Sequence, residues 1–328
     1  MFTLRKSTSI TRLILPSVES SLTVSKMACQ CGATAHLLNE VDADEEAIKD
    51  LTRQAKEQSG PRATLTKARR DQLKAEVSAE RAFATSLRKA RKQLLETVGA
   101  AVDAASPLSL LNLNDEQLLE FILQSGLGLA VEDFIEQQEA IREAAERAMK
   151  AVQPSFGFDQ IGAQLDSIQT TAVTGVFDDV ILPDFKRSIN ESLKDLIVDV
   201  PVNIVMSNLE QRLKRSEGRQ LTEVKTRISQ YGRGITAVAA EAADLNLYLY
   251  TGPRDGITRP FCRQLINLVV SKSQMRRLNN GQGLSVITSG GGYNCRHSWS
   301  PVTAGFVEAA DLDRAKTSDI KSANSKAR

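Results

Sequence analysis

The sequence predicts an α+β protein, with a mostly α-helical, elongated N-terminal body and a small C-terminal β-containing domain. Aromatic residues make up only 5% of the 328 residues. A chain that is poor in aromatic residues and rich in Ala, Leu, Glu and Lys typically forms long helices. Apolar residues recur at helical spacing over much of the chain. Between Leu245 and Tyr250, by contrast, leucines occupy every second position, which is the period of a half-buried strand.

We divide the chain into five segments. Residues 1–40 show little periodicity and are predicted to be a flexible arm. A helical domain at 41–153 and a helical connector at 154–220 precede an α+β domain at 221–302. The residues from Arg314 on are small, polar and basic, and 303–328 is predicted to be a disordered basic tail. The basic opening, rich in Ser and Thr, is also compatible with a transit peptide or with an extension before Met27.

The segment from Arg62 to Ala105 is the strongest helix signal. Gly60-Pro61 bounds it at one end, because proline lacks a donor and disfavours helix in the residue before it. Pro107 marks the other end. The apolar stripe of this helix is narrow, which favours packing in a helical hairpin or coiled coil.

Two opposite charge runs follow one another in the helical domain. Arg62–Lys92 is strongly basic and Asp115–Glu146 strongly acidic, although the net charge is only +2. Asn114 is predicted to cap a helix in the acidic run. We expect the two runs to pair with each other. The alternative is that Arg62–Lys92 contacts the phosphates of genomic DNA.

The middle of the chain reads as further helices. Residues 154–185 are predicted to form a connector with one short helix, followed by helices at 186–199, 203–216 and 221–246. Glu217-Gly218 is expected to break the last two apart. Beyond the strand at 245–250, Leu284–Thr288 is predicted to be another strand, and 265–271 either a strand or a helical turn. Glycines at 290–292 then bring 293–299 back over the sheet.

Cys262, Cys295 and His297 are the candidate staple of this small domain, which cannot bury a sizeable core. Three interpretations stay open. The residues bind Zn(II), with Asp255 or a water as fourth ligand, since Cys295 and His297 share a face of an extended segment. The cysteines form a disulfide that closes a loop, worth about 4 kcal/mol. Or both are buried, reduced thiols and His297 is hydrogen-bonded in the fold.

A catalytic role for the same residues is the competing hypothesis. Cys262 and His297 are a conceivable nucleophile and base of an enzyme or toxin-like effector. However, no strand–nucleophile–helix elbow surrounds them, and Asp255 is the one nearby carboxylate, whereas a metal nuclease needs several. We therefore predict that the chain is not an enzyme. No stretch approaches the roughly 18 apolar residues of a membrane helix, so no membrane partner is expected.

The C-terminal motifs resemble those of a known family. They are Tyr250-x-Gly252-x-x-Asp255-x-x-Thr258-Arg259-Pro260-Phe261-Cys262, Asn294-Cys295-Arg296-His297 and Pro301-Val302. This order resembles the C-terminal domain of phage minor head (head morphogenesis) proteins of the Mu F type, over Leu221–Val302. In this chain His297 stands where many relatives have their last cysteine, and Cys262 stands alone where some have a pair.

The resemblance implies a virion protein, made in the host cytoplasm and present in few copies. It implies a place at the portal vertex or in the capsid interior, contacts with portal or capsid subunits or with further copies of itself, and a role in head assembly and genome packaging or delivery. It implies no established catalysis. It also implies structural roles for Asp255, Thr258, Arg259 and Arg296, with Asp255 paired to one of the two arginines.

Overall fold

The computed structural model describes residues 33–104, 112–198 and 200–327. The predicted fold class is confirmed, because the chain is 75% helical with a small three-stranded antiparallel sheet near its C-terminus. No described helix is long and apolar enough to cross a bilayer. Most of the predicted arm at 1–40 lies outside the described residues, and its last part, 33–40, belongs to the first helix.

The body contains seven α-helices among the described residues: α1 (Ala33–Glu57), α2 (Gly60–Ala104), α3 (Asp115–Ile122), α4 (Gly128–Val152), α5 (Gly162–Val176), α6 (Leu182–Ile197) and α7 (Val202–Ala242). Three short irregular turns connect some of them: Leu123–Leu127, Phe158–Ile161 and Phe177–Ile181. The C-terminal part contains β1 (Leu247–Thr251), α8 (Pro260–Leu265), β2 (Val269–Ser271), α9 (Lys272–Met275), α10 (Val286–Ser289), β3 (Ser298–Val302), α11 (Ala304–Ala309) and α12 (Thr317–Ser325).

The local signals at the helix ends are reproduced. Helix α2 begins at Gly60, whose φ of +58° suits a residue without a Cβ. Asn114 caps α3, since its side chain accepts a hydrogen bond from the Gln117 amide at 2.9 Å. The Gln117 side chain accepts one from the Asn114 amide at 3.0 Å, which completes a capping box.

The chain divides into two compact units, and the first comprises the described parts of 81–136 and 173–224, together with 33–37. Phe83, Phe134 and Phe177 form its aromatic centre, with edge-to-face ring centroids 5.3, 5.7 and 5.8 Å apart. All three rings are completely buried. Phe177 comes from the predicted connector with one short helix; that prediction is wrong, because 154–185 contains α5, two turns and the start of α6.

The charge runs meet differently from the predicted pairing. Helices α2 and α4 contact each other through Phe83 and Phe134. Arg88 and Arg91 on α2 form ion pairs with Glu217 on α7, each at 2.9 Å. Two arginines of the basic run therefore neutralise the charge of Glu217 on α7 within this unit.

The second unit comprises 38–80, 137–172 and the described residues from 225 onward. Its sheet has the order β2-β1-β3, with β1 antiparallel to both neighbours. Leu249 at the centre of β1 lies opposite Val269 of β2 and Ser300 of β3. Leu65 of α2 packs on this side of the sheet, in a buried cluster that includes Val302 of β3. The sheet is thus anchored on the N-terminal part of the longest helix.

The predicted helix break at Glu217-Gly218 is wrong, because α7 runs unbroken through 41 residues. A glycine inside a helix costs about 1 kcal/mol. Leu213 and Leu221 on either side of it are both buried, and burial of a leucine side chain contributes roughly 2 kcal/mol. Packing therefore outweighs the local propensity.

The predicted strand at Leu284–Thr288 is also wrong, because these residues enter the helical turn α10. The Val286 carbonyl accepts hydrogen bonds from the Gly290 amide and from the indole N–H of Trp299, both at 2.9 Å. These two bonds satisfy the carbonyl without a strand partner.

The predicted disordered tail at 303–328 is wrong for its described residues, 303–327. Helices α11 and α12 form there, and Ile320 and Ala323 of α12 are buried. The Val269 amide of β2 donates to the Asp313 carbonyl, and the Val269 carbonyl accepts from the Ala315 amide, both at 2.8 Å. The segment between the helices therefore occupies the free edge of the sheet.

Candidate metal centre

Three predicted donor residues converge in the second unit. Cys262 lies on α8, while Cys295 and His297 lie in the segment that enters β3. The two Sγ atoms are 3.8 Å apart, and Cys295 Sγ lies 3.7 Å from His297 Nδ1. All three ligand atoms lie within 4.8 Å of one another, and all three residues are buried. This group can hold a metal ion.

The spacing of the donors fits a tetrahedral ion. Bonds of about 2.3 Å to sulfur and about 2.0 Å to nitrogen place two sulfurs about 3.8 Å apart, and a sulfur and a nitrogen about 3.6 Å apart. The separations of 3.8 and 3.7 Å agree with these values. Both cysteines are free thiols here, and their sulfurs are well beyond the roughly 2.05 Å of a disulfide.

The imidazole of His297 is oriented by the turn after β1. Its Nε2 lies 2.9 Å from the Pro253 carbonyl oxygen. Because a carbonyl can only accept, Nε2 carries the proton, and Nδ1 presents its lone pair towards Cys295. A Cβ on Gly252 would lie 2.3 Å from His297 Cδ2. Glycine at this position therefore lets the turn approach the ring.

The glycine loop covers the two sulfurs. The Gly291 amide donates to Cys295 Sγ at 3.1 Å, a bond that stabilises a thiolate. A Cβ on Gly291 would lie 2.4 Å from Cys262 Sγ. Arg259, just before α8, donates to the Gly291 carbonyl at 2.6 Å and to the Tyr293 carbonyl at 2.5 Å. Arg259 thus holds the glycine loop in place over the two sulfurs.

Two buried arginines on the long helices donate hydrogen bonds to the backbone of residues 295–297, the segment that carries Cys295 and His297. Arg233 of α7 donates to the carbonyls of Cys295 and His297, the latter at 3.0 Å. Arg69 of α2 donates to the Arg296 carbonyl at 2.9 Å and pairs with Glu76 at 3.0 Å. The carbonyls of three successive residues are therefore fixed by guanidinium groups. Neither arginine has a local sequence signal beyond a charge on an otherwise apolar helix stripe.

Asp255 does not join the donor group, which corrects its tentative assignment as a metal ligand. Arg296 binds the carboxylate in a bidentate manner, at 2.6 and 3.0 Å. The Thr258 hydroxyl lies 2.9 Å from Asp255 Oδ1 and 2.9 Å from the Pro253 carbonyl. Of the two arginines considered as its partner, Arg296 is the one that pairs with Asp255.

The charges of the site follow from these contacts. The hydrogen bond from Cys262 lowers the pKa of Cys295 well below its ordinary value, although burial opposes this. The same hydrogen bond, together with burial, raises the pKa of Cys262. The two thiols therefore titrate as a coupled pair, and the first ionisation is easier than the second. Burial alone would raise the pKa of Asp255, but the hydrogen bonds and charge of Arg296 outweigh it and lower that pKa.

Comparison with known proteins gives no relative: no family model, no curated protein and no solved structure matches this chain. The likeness of 221–302 to phage minor head proteins consequently depends on the motif residues themselves.

Proposed function

We propose that this chain is a phage virion structural protein of the minor head type. It acts at the portal vertex or in the capsid interior, in head assembly and genome packaging or delivery, through contacts with portal or capsid subunits. The observation that supports this most is the convergence of the motif residues. Asp255 and Arg296 are 41 positions apart in the chain and Cys262 and Cys295 are 33 apart, yet the members of each pair are in contact.

Within this function we assign Zn(II) to Cys262, Cys295 and His297, as a structural staple. Two thiols and an imidazole suit zinc, whereas magnesium and calcium prefer oxygen ligands. A sheet of three short strands also has little core of its own, which is the situation in which small domains use a metal. The ion would link α8 to the segment that enters β3.

Burial favours this structural role over a cysteine nucleophile. Cys262 is 1% exposed and His297 is 2% exposed, so a substrate would have to open the glycine loop to reach them. The nitrogen of His297 that is free to act as a base lies at Cys295 rather than at Cys262. A nucleophilic cysteine needs an accessible, ionised sulfur, and Cys262 has neither property.

The long helices supply the surfaces for partner subunits. Two arginines of the basic run are engaged inside the fold. Arg69 binds Glu76 and the Arg296 carbonyl, and Arg91 binds Glu217. Both side chains are less than a tenth exposed, so they are not available to phosphates.

Purified particles of the phage or prophage that encodes the chain test the proposed function. Quantitative mass spectrometry should find the chain in few copies relative to the major capsid subunit, with the portal protein as internal standard. Cryo-electron microscopy should place its density at the portal vertex or inside the head. Absence of the chain from particles, or density only on the outer tail, would refute the proposal.

A further inference from the structure

Tyr250 of β1 points its hydroxyl group at the two cysteine sulfurs. The residue is completely buried. Its oxygen lies 3.4 Å from Cys262 Sγ and 3.7 Å from Cys295 Sγ. Its ring stacks on the imidazole of His297, with centroids 5.4 Å apart and planes inclined by 15°. Its oxygen therefore lies next to the two sulfurs, and its ring stacks on the imidazole of His297.

These separations match the fourth corner of a tetrahedron. A metal–oxygen bond of about 2.0–2.2 Å, beside metal–sulfur bonds of about 2.3 Å, places oxygen and sulfur about 3.5–3.7 Å apart. The observed values are 3.4 and 3.7 Å. Asp255, the other oxygen donor considered for this corner, is held by Arg296. The phenol oxygen therefore lies at the distance from both sulfurs that a ligand at this corner requires.

The surrounding loop leaves this corner little room for a water molecule. A Cβ on Gly290 would lie 3.2 Å from the Tyr250 oxygen and 3.1 Å from Cys295 Sγ. A Cβ on Gly291 would touch both sulfurs, at 2.4 and 3.5 Å. The backbone of the two glycines thus lies directly on the oxygen and the sulfurs, which closes the site against solvent.

We propose that Tyr250 is the fourth ligand of the metal ion, as a phenolate, so that the site is closed and structural with no open coordination position. This inference rests on the proposed metal site. On binding, the metal–oxygen and metal–sulfur bonds form while the phenol O–H proton and the S–H protons of the two cysteines pass to solvent. Two thiolates and a phenolate on a divalent ion leave one net negative charge. The guanidinium of Arg233, bound to the Cys295 and His297 carbonyls, lies next to that charge.

Titration of Zn(II) into the metal-free full-length chain, under reducing conditions, tests the ligand directly. Tyrosinate has a near-ultraviolet band that neutral phenol lacks, and zinc itself does not absorb there. We expect this band to grow until one zinc per chain is bound, and to be absent in Tyr250→Phe. Tyr248→Phe is the matched control, because Tyr248 lies two residues away on the same strand; it should keep the band. Tyr250→Phe should also release one proton fewer per zinc.

A second measurement on the unaltered chain holds even if Tyr250→Phe does not fold. The visible spectrum of the Co(II)-loaded protein should stay unchanged when azide is added, because no coordination position is open. Zinc bound without a tyrosinate band, or a cobalt spectrum that azide shifts, would overturn the role of Tyr250 and leave the three-residue metal site standing. Failure of the unaltered chain to bind zinc at all would overturn both.

Discussion

Replacement of Gly291 by alanine probes the glycine loop over the metal centre. The new Cβ would lie 2.4 Å from Cys262 Sγ and 3.5 Å from Cys295 Sγ. Relief of the first contact requires a movement of about 1 Å, because carbon and sulfur rarely approach closer than about 3.4 Å. Metal–ligand distances tolerate only about 0.2 Å. The sulfur therefore cannot stay in its place in the tetrahedron while it accommodates the methyl group.

We expect Gly291→Ala to weaken Zn(II) binding by at least about tenfold, which is the low end for damage to groups around a metal. Overpacking should lower the free energy of unfolding by about 1–3 kcal/mol as well. Competition with a chromophoric chelator measures the affinity, and thermal unfolding measures the stability. Gly256→Ala is the matched control, because nothing lies within 4 Å of its Cβ position. An affinity of Gly291→Ala equal to that of Gly256→Ala would refute the geometry derived for the site.

Three further predictions concern both units. Burial and the charge of a neighbouring aspartate raise the pKa of Asp178 to about 6, so stability is lost as the pH rises from about 4 to about 6 and stays lost above it. Allowing for solvent screening, Asp178→Asn should stabilise the chain by about 1 kcal/mol at pH 8 and should give no gain below about pH 4, in equilibrium denaturation at both pH values. Phe83→Ala should cost about 3–5 kcal/mol in the same assay, because its ring is fully buried against two others, whereas Phe83→Leu should cost about half as much or less. Arg233→Met should cost about 3 kcal/mol or more and reduce zinc affinity, because the loop carbonyls that it binds are left without a donor; the exposed Arg263→Met should do neither.

Local signals predicted the long helix and the first strand closely. Gly60-Pro61 and Pro107 bracketed α2, which extends from Gly60 to Ala104. Asn114 was recognised as a cap because the capping interaction spans only three residues. The alternation of leucines placed β1 correctly. In each case the interactions that decide the structure join residues close together in the chain. The sequence pattern therefore indicates them.

The remaining features depend on partners that are distant in the chain. The tail is helical and ordered because 313–315 binds Val269 at the sheet edge, and no local pattern indicates that pairing. Arg69 binds a carbonyl 227 positions away, so its sequence context is simply that of a basic helix. The donors Cys262, Cys295 and His297 were predicted because their residue types are rare and chemically specific. Tyr250 was interpreted only as a strand residue, since tyrosine is common in strands.

The zinc content of the purified full-length chain tests the central claim most directly. We expect about one zinc ion per chain by elemental analysis, lost in Cys262→Ser and Cys295→Ser. The other two cysteines of the sequence are Cys29 and Cys31, and a Cys29→Ser/Cys31→Ser variant should retain the zinc. The removal of zinc by a chelator should also lower the melting temperature of the unaltered chain and leave that of Cys262→Ser unchanged. A chain without bound metal, or a Cys262→Ser variant with the same zinc content as the unaltered chain, would contradict the account.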